Sequence, residues 1–334
     1  MVGQHFVAML VNHPWFRLAW ISASERSNGK RYGDLPWRLA NPLPEEAARL
    51  AVELPKAGAA PKIVFSALDA SVAGEIEGTF ATAGHIVLSN ARNYRMDACV
   101  PLVIPEVNAR HLAALPMQKK KKGWSGALVT NPNCSTIFLA MALGALWEFE
   151  PEKVTVTTLQ ALSGAGHPGV ASLDALGNVI PFIAGEEEKI ENETRKILGK
   201  FSEDGFAPAA MCISAQTTRV PVVNGHTEVV SVGLRNRLEC GEIRKAFEKF
   251  AGRPQELELP HAPRRAIVYV DPEDRPQPRL DVERFGGMAV QVGRLRECPV
   301  LGYKFVLLGH NTIRGAAGAA LLNAELMHAE GLLN

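Results

Sequence analysis

Apolar residues recur at helical spacing from Val2 to Val11, and this stretch predicts an amphipathic helix. Leu18 to Ser22 reads as a strand, Glu45 to Leu54 as a helix, and Ile63-Val64-Phe65-Ser66-Ala67 as a strand ending in small residues. Ala73 to Ala83 predicts a helix, His85 to Ser89 a strand, and Leu102 to Ile104 another. Strands alternating with helices imply a parallel sheet covered on both faces. That is the α/β, doubly wound nucleotide-binding architecture, whose ligands sit beyond the carboxyl ends of the strands.

The texture changes after Cys134. Val154 to Ala161, Thr218 to Val223, Thr227 to Leu234, Arg265 to Val270, Met288 to Gly293 and Lys304 to Leu308 are strand-like, several with period-two alternation. Glu187 to Leu198 and Cys240 to Phe250 read as helices. Strands that follow one another without intervening helices predict an α+β domain around an antiparallel sheet. The apolar stretch Gly315 to His328 predicts a helix that returns to the first domain, giving a division into residues 1–132 with 312–334 and residues 133–311. Lys119 to Lys122 is a charge run read as a solvated loop.

Composition narrows the function classes. A chain of 334 residues with 47% hydrophobic content can bury a large core, and 36 Lys and Arg against 35 Asp and Glu leave no surplus for nucleic acid or an anionic membrane. Small molecules and its own subunits are the expected partners. The five cysteines are widely spaced without a CxxC pair, which argues against a disulfide framework or a zinc site, so no metal is expected and a reducing cytoplasm fits.

The candidate chemistry centres on Asn131-Pro132-Asn133-Cys134-Ser135-Thr136, directly before the apolar run Ile137 to Leu146. A sulfur in the first turn of a helix lies in the positive end of the macrodipole, where it should ionise more easily and where free N–H groups can hold an oxyanion. A lone cysteine is as often an inert buried thiol. Gln160, Arg219 and His226 follow in order, so that a thiol, an amide, a guanidinium and an imidazole together suit acyl transfer. The thiolate would be the nucleophile, and His226, with an ordinary pKa of about 6.5, would carry protons either way.

Asn131 to Thr136, Leu159 to Gly164, Arg219 to His226 and Gly309-His310-Asn311-Thr312-Ile313-Arg314-Gly315-Ala316 form an ordered set over essentially the whole chain. In this set the chain resembles the aspartate-β-semialdehyde dehydrogenases of the archaeal and fungal branch. The resemblance implies a Rossmann-type domain and a catalytic and dimerisation domain of the glyceraldehyde-3-phosphate dehydrogenase-like kind, assembled as a dimer or a pair of dimers. It implies NADPH-dependent reduction of β-aspartyl phosphate through a Cys134 thioester, at the branch point towards lysine, threonine and methionine. Gln160 would orient the substrate and Arg219 would clamp its α-carboxylate, for which a planar guanidinium is suited. Glu186 would meet the ammonium, with Glu187 and Glu188 as neighbours in register, while Lys189, Arg95 and Asn133 would hold phosphate. Related acyl reductases acting on N-acetyl-glutamyl phosphate or malonyl-CoA, and a non-catalytic paralogue, are the rival readings.

Cofactor choice follows from Ser22 to Lys30, after the strand Leu18 to Ser22. An acidic residue there favours NAD, whereas Arg and hydroxyls accommodate a 2′-phosphate. Ser24, Arg26 and Ser27 favour NADP, and Glu25 points the other way. Ser163-Gly164 lets a backbone approach the nicotinamide. By resemblance Ser66, Ala67, Asn311 and Thr312 also touch the cofactor, and Gly3 is the last glycine of a fingerprint whose strand and turn would precede Met1.

Overall fold

The computed structural model describes residues 1–333. Its strands are β1 Ile21–Ser22, β2 Val52–Glu53, β3 Ile63–Ser66, β4 Ile86–Ser89, β5 Ala127–Thr130, β6 Pro151–Gln160, β7 Lys200–Ser202, β8 Gly205–Ala207, β9 Cys212–Arg219, β10 His226–Leu234, β11 Ile267–Val270, β12 Val290–Cys298 and β13 Gly302–Gly309. The helices of eight residues or more are α1 Val2–Leu10, α2 Ala70–Thr82, α3 Leu115–Lys122, α4 Cys134–Ala145, α5 Glu186–Ile197, α6 Cys240–Lys249 and α7 Gly318–Ala329.

The N-terminal half is a parallel α/β unit in two pieces. β3, β4 and β5 form one parallel sheet and β1 pairs in parallel with β2 alone. A cavity of about 810 Å³ separates the pieces, lined by Met1, Gly3 and Phe6 on one side and by Ile21, Ser22 and Ile63 to Ala67 on the others. Apolar faces of α1, β4, β5 and α7 share one core, which includes Phe6, Leu10, Leu88, Val129, Leu322 and Leu326. The returning helix therefore closes this half, as its apolar pattern predicts.

Six strands build the second half in the order β11-β12-β13-β10-β6-β9. The inner pairs are antiparallel and the two outer pairs parallel, so the sheet is mixed rather than purely antiparallel. Alternate residues Val154, Val156, Val230, Val232 and Phe305 meet α4, α5 and α6 in a second core. α4 is apolar all round and buried all round, because it lies between the sheet and the rest of the molecule.

Several local expectations fail for identifiable reasons. The segment Glu45 to Leu54 makes only one helical turn, Glu45–Ala48, before Val52 is drawn into parallel pairing with Ile21. Leu102 makes a single bridge to Thr130 instead of belonging to a strand, and the neighbouring place in the sheet belongs to β5. The strand read at Thr218 to Val223 is displaced: β9 ends at Arg219, and the chain turns before His226 begins β10. Lys119 to Lys122 form the last turn of α3, not a loop, where their charge complements the carbonyl end of the helix dipole. Gly123 then ends the helix at φ 68°, a conformation that side chains with a Cβ rarely adopt.

One buried group stands apart. Glu228 on β10 is fully buried and neither carboxyl oxygen has a hydrogen-bond partner. Burial pushes its pKa well above the ordinary 4.5, so the folded protein keeps this proton to higher pH than the unfolded chain does. The unfolded chain releases that proton as pH rises above the ordinary value, so native stability falls with rising pH, by up to about 1.4 kcal/mol per pH unit. Glu228→Gln should therefore gain stability over the wild type progressively as pH rises above the ordinary carboxylate range. Denaturant unfolding at several pH values measures this, and a pH-independent difference would mean that the folded carboxyl is ionised.

Candidate active site

β5 delivers the chain into Asn131-Pro132-Asn133 and so to the start of α4. Asn131 Nδ2 donates to Asn90 Oδ1 and to the Ala316 carbonyl, and its own Oδ1 accepts from Asn323 Nδ2. Asn133 is the N-cap: its Oδ1 accepts from the Ser135 and Thr136 N–H groups at 3.0 and 3.3 Å. The cap puts Cys134 in the first turn, as its sequence context predicts.

The sheet register supplies the partners. Gln160 lies beside Arg219 across β6 and β9, and Leu159 lies opposite Thr227, which sets His226 next to Gln160. His226 Nε2 is 3.1 Å from Cys134 Sγ and 3.4 Å from Gln160 Nε2. His226 Nδ1 accepts from the Ala161 N–H at 3.0 Å, and Arg219 Nη1 donates to the Ala161 carbonyl at 2.7 Å. Thr158, one strand turn below, donates to Gln160 Oε1 and so fixes which end of the amide faces the pocket.

α5 closes the site from the side. Glu186 Oε1 accepts from Asn133 Nδ2 and from Lys189 Nζ, both at 2.8 Å, and its Oε2 accepts from Gln160 Nε2 at 3.2 Å. Two turns on, Glu193 accepts from the Asn133 N–H at 2.6 Å and from Arg95 Nη1 at 3.1 Å. Arg95 Nη2 donates to the Asn90 carbonyl, and its buried Nε has no partner. The resemblance did not single out Glu193. Its signal was present in the sequence, because Glu186, Lys189 and Glu193 recur at the spacing of one helix face.

The electrostatics reverse two expectations. Burial pushes the Cys134 thiol up to about 12, and the Glu186 charge adds to this against the pull of Arg95, the Ser135 N–H and Arg219. The first-turn position alone does not make the sulfur acidic, because desolvation outweighs the dipole. His226 goes down to about 3 through burial, helped by Arg219 and His310 and opposed by Glu186. It does not titrate near neutrality. For Glu186, burial works upward, but Lys189, Gln160 and Asn133 outweigh it and leave the carboxyl below its ordinary value.

The residues assigned to a cofactor fall into two groups. Gly3, Ser27, Ser66 and Ala67 line the 810 Å³ cavity. The Ser66 hydroxyl is already engaged with Glu77 on α2, which also accepts from Ser89. Ser24 and Arg26 lie beside the cavity on an exposed turn that Ser27 completes. The second group adjoins Arg219 and His226: Asn311 Nδ2 donates to Ser163 Oγ, and Thr312 Oγ1 lies 3.1 Å from His5 Nε2 of α1. Gly164 packs so closely that a Cβ there would stand 2.9 Å from Arg219 Nη1 and 3.0 Å from His226 Cε1.

Known proteins share this arrangement of sequence and fold. Residues 143–314 match the semialdehyde dehydrogenase dimerisation domain, and residues 1–115 match the semialdehyde dehydrogenase NAD binding domain. An aspartate-semialdehyde dehydrogenase of Archaeoglobus fulgidus is 48% identical over 100% of this chain and 96% of its own length. The chain belongs to the aspartate-semialdehyde dehydrogenase family. A second member, from Cryptococcus neoformans, is 46% identical over 99% of this chain and 95% of its own. The crystal structure of the Candida albicans aspartate-semialdehyde dehydrogenase with NADP superposes at a TM-score of 0.90 with 40% identity, covering 99% of this chain and 96% of that one.

The Gly164 contact yields a test that separates the site from the fold. Gly164→Ala should displace the guanidinium and the imidazole by a few tenths of an ångström to an ångström, which is enough to lower kcat/KM by roughly tenfold to a hundredfold. Its melting temperature should stay near the wild type, and steady-state kinetics beside a melt would decide. Unaltered kcat/KM would mean that neither side chain needs its present position.

Proposed function

We propose that this chain reduces β-aspartyl phosphate to L-aspartate-β-semialdehyde with NADPH, through a thioester on Cys134. The observation that carries the reading is the approach of Cys134 Sγ to His226 Nε2 at 3.1 Å, at a capped helix start flanked by Arg219 and Glu186. Arg219 binds the α-carboxylate, for which its planar fork is suited. Glu186 keeps its negative charge and so fits an ammonium group. This favours an amino-acid substrate over malonyl-CoA, which has no amino group, and over an acylated nitrogen, which carries no charge. Arg95, Lys189 and Asn133 surround the phosphate end, and the unpartnered Arg95 Nε suits an anion.

The residues present fit NADP. Gly3 has nothing within 4 Å of where a Cβ would be, so a phosphate group can approach the start of α1 closely. Arg26 and the Ser24 and Ser27 hydroxyls suit a 2′-phosphate near the end of β1. Ser163, Gly164, Asn311 and Thr312 would hold the nicotinamide end. When bound, the cofactor supplies hydride to the acyl carbon.

The division into a cofactor domain, residues 1–132 with 312–334, and a catalytic domain, residues 133–311, is supported by the two cores. A second copy is expected on the outer face of the six-stranded sheet, as a dimer or a pair of dimers. Thr155, Thr157, Gln216 and Val229 are exposed there, and Leu173 and Phe182 are exposed apolar side chains of the same half. No helix among the described residues is long and apolar enough to cross a membrane. A cytoplasmic setting suits a mechanism that requires a free thiol.

Phosphate-dependent reduction of NADP by L-aspartate-β-semialdehyde tests the reading directly. Cys134→Ala should abolish turnover and leave the melting temperature intact, whereas Cys212→Ala, at an exposed site on β9, should keep it. The opposite pattern would remove Cys134 from the chemistry. Arg219→Lys keeps the charge and loses the fork, and should lower kcat/KM by roughly tenfold to a hundredfold, the worth of a charge-assisted bond of about 1.5 to 3 kcal/mol. Wild-type kinetics in Arg219→Lys would place the carboxylate elsewhere.

A further inference from the structure

The chain between Asn90 and Pro101 forms neither helix nor strand, yet it carries Arg95 into the site. Short turns satisfy some of its N–H groups: Arg95 donates to the Arg92 carbonyl, Asp97 to that of Tyr94 and Val100 to that of Asp97. The carbonyls of Arg95, Asp97 and Val100 converge on one group, Lys196 Nζ of α5, at 2.7, 2.8 and 2.8 Å. Lys196 is buried, and its Nζ lies 4.5 Å from the centre of the Phe206 ring on β8. An ammonium has three N–H donors and no lone pair, so three carbonyls use it completely. A neutral amine keeps two donors and turns a lone pair towards the third oxygen. The cluster therefore holds its shape only around the charged form.

Arg95 is held at both ends by one face of α5. Its Nη1 donates to Glu193 Oε1 at 3.1 Å, and its own carbonyl accepts from Lys196, three residues further along the helix. Nη2 donates to the Asn90 carbonyl at 2.7 Å, and the buried Nε has no partner. Glu193 and the Asn90 carbonyl thus orient the guanidinium, while Lys196 fixes the backbone from which it extends. The titratable groups facing Lys196 are Asp97 and Cys99 of the same segment, Glu193 on α5 and His111 of the turn before α3. Burial lowers the ammonium to about 8, against Asp97, Glu193 and Cys99, which favour the charge.

We propose that Lys196 is a positioning residue for the phosphate end of the site: its ammonium gathers the carbonyls of Arg95, Asp97 and Val100 and so aims the free Nε–H of Arg95 at the substrate phosphate. The proposal deepens the acyl-phosphate reading and rests on it. Lys196 acts only through Arg95, because its three donors are spent on the backbone. A shift of the segment by about an ångström would misdirect the guanidinium, and a misplacement of that size costs up to about a hundredfold. Above about pH 8 the amine turns neutral, one carbonyl loses its donor, and phosphate binding weakens.

The test reads the KM for inorganic phosphate in the full chain, during oxidation of L-aspartate-β-semialdehyde with NADP. In the wild type this KM should rise as pH passes about 8, whereas in Lys196→Arg, which stays charged, it should remain level. A level wild-type KM across that range, or a rise just as large in Lys196→Arg, would overturn the proposal. Lys196→Met keeps the length of the side chain and loses its donors. At neutral pH it should raise the KM for phosphate by roughly tenfold to a hundredfold and leave the KM for NADP within about threefold. A loss shared equally by both would mean general loosening and would also overturn it. Added to Arg95→Ala, the same change should raise the KM for phosphate by less than about twofold more, because both act through one group. A full additional loss would show that Lys196 does not work through Arg95. Should Lys196→Met fail to fold, the two pH profiles decide alone. Failure of the function reading is recognised separately in the wild type, by NADP reduction that does not depend on phosphate.

Discussion

Two buried carboxylates on one face of α5 organise the centre of the molecule. A carboxylate taken out of water must be paired and hydrogen-bonded, or it reprotonates. Glu186 is satisfied only if the residue before Cys134, the end of β6 and Lys189 all converge on it, and Glu193 only if Asn133 and Arg95 do. Two carboxylates thus align a helix start, a sheet edge and a loop of the nucleotide-binding half. Lys196 on the same helix extends the tie by donating to the carbonyls of Arg95, Asp97 and Val100. This helix therefore holds the two halves in one geometry.

Desolvation of the sulfur and the imidazole explains the resting charge state. The sulfur and the imidazole are both neutral because no ion pair between them would be compensated: the proton that would charge the ring has no acceptor on its far side, and Glu186 repels the thiolate. Such a pocket protects the thiol from electrophiles and oxidants that act on thiolates.

The sequence revealed which residues meet at the site better than it revealed their state. Cys134, Gln160, Arg219 and His226 carry local signatures, and the cap at Asn133 is written in the residues that form it. The direction of the thiol shift depends on Glu186 and on burial by elements remote in the chain, so no local pattern contains it. Secondary structure divides the same way. Strongly periodic stretches such as Val2 to Val11 and the two long strands flanking Thr227 and Thr158 were legible, whereas Glu45 to Leu54 has helical composition but its Val52 is claimed by pairing with Ile21. Leu102 to Ile104 has the composition of a strand but lies beyond the edge of β5, with one bridge only.

The cavity of the nucleotide-binding half has a consequence for how the molecule behaves in company. β1 is paired on one side only, by β2, and β3 on one side only, by β4, and both line the same apolar space. Unpaired N–H and C=O groups beside apolar side chains form a template for any extended chain that reaches them. Partly unfolded copies at high concentration are such chains. That cavity is therefore also where pairing with another extended chain would begin, and a molecule lying across it would cover the template.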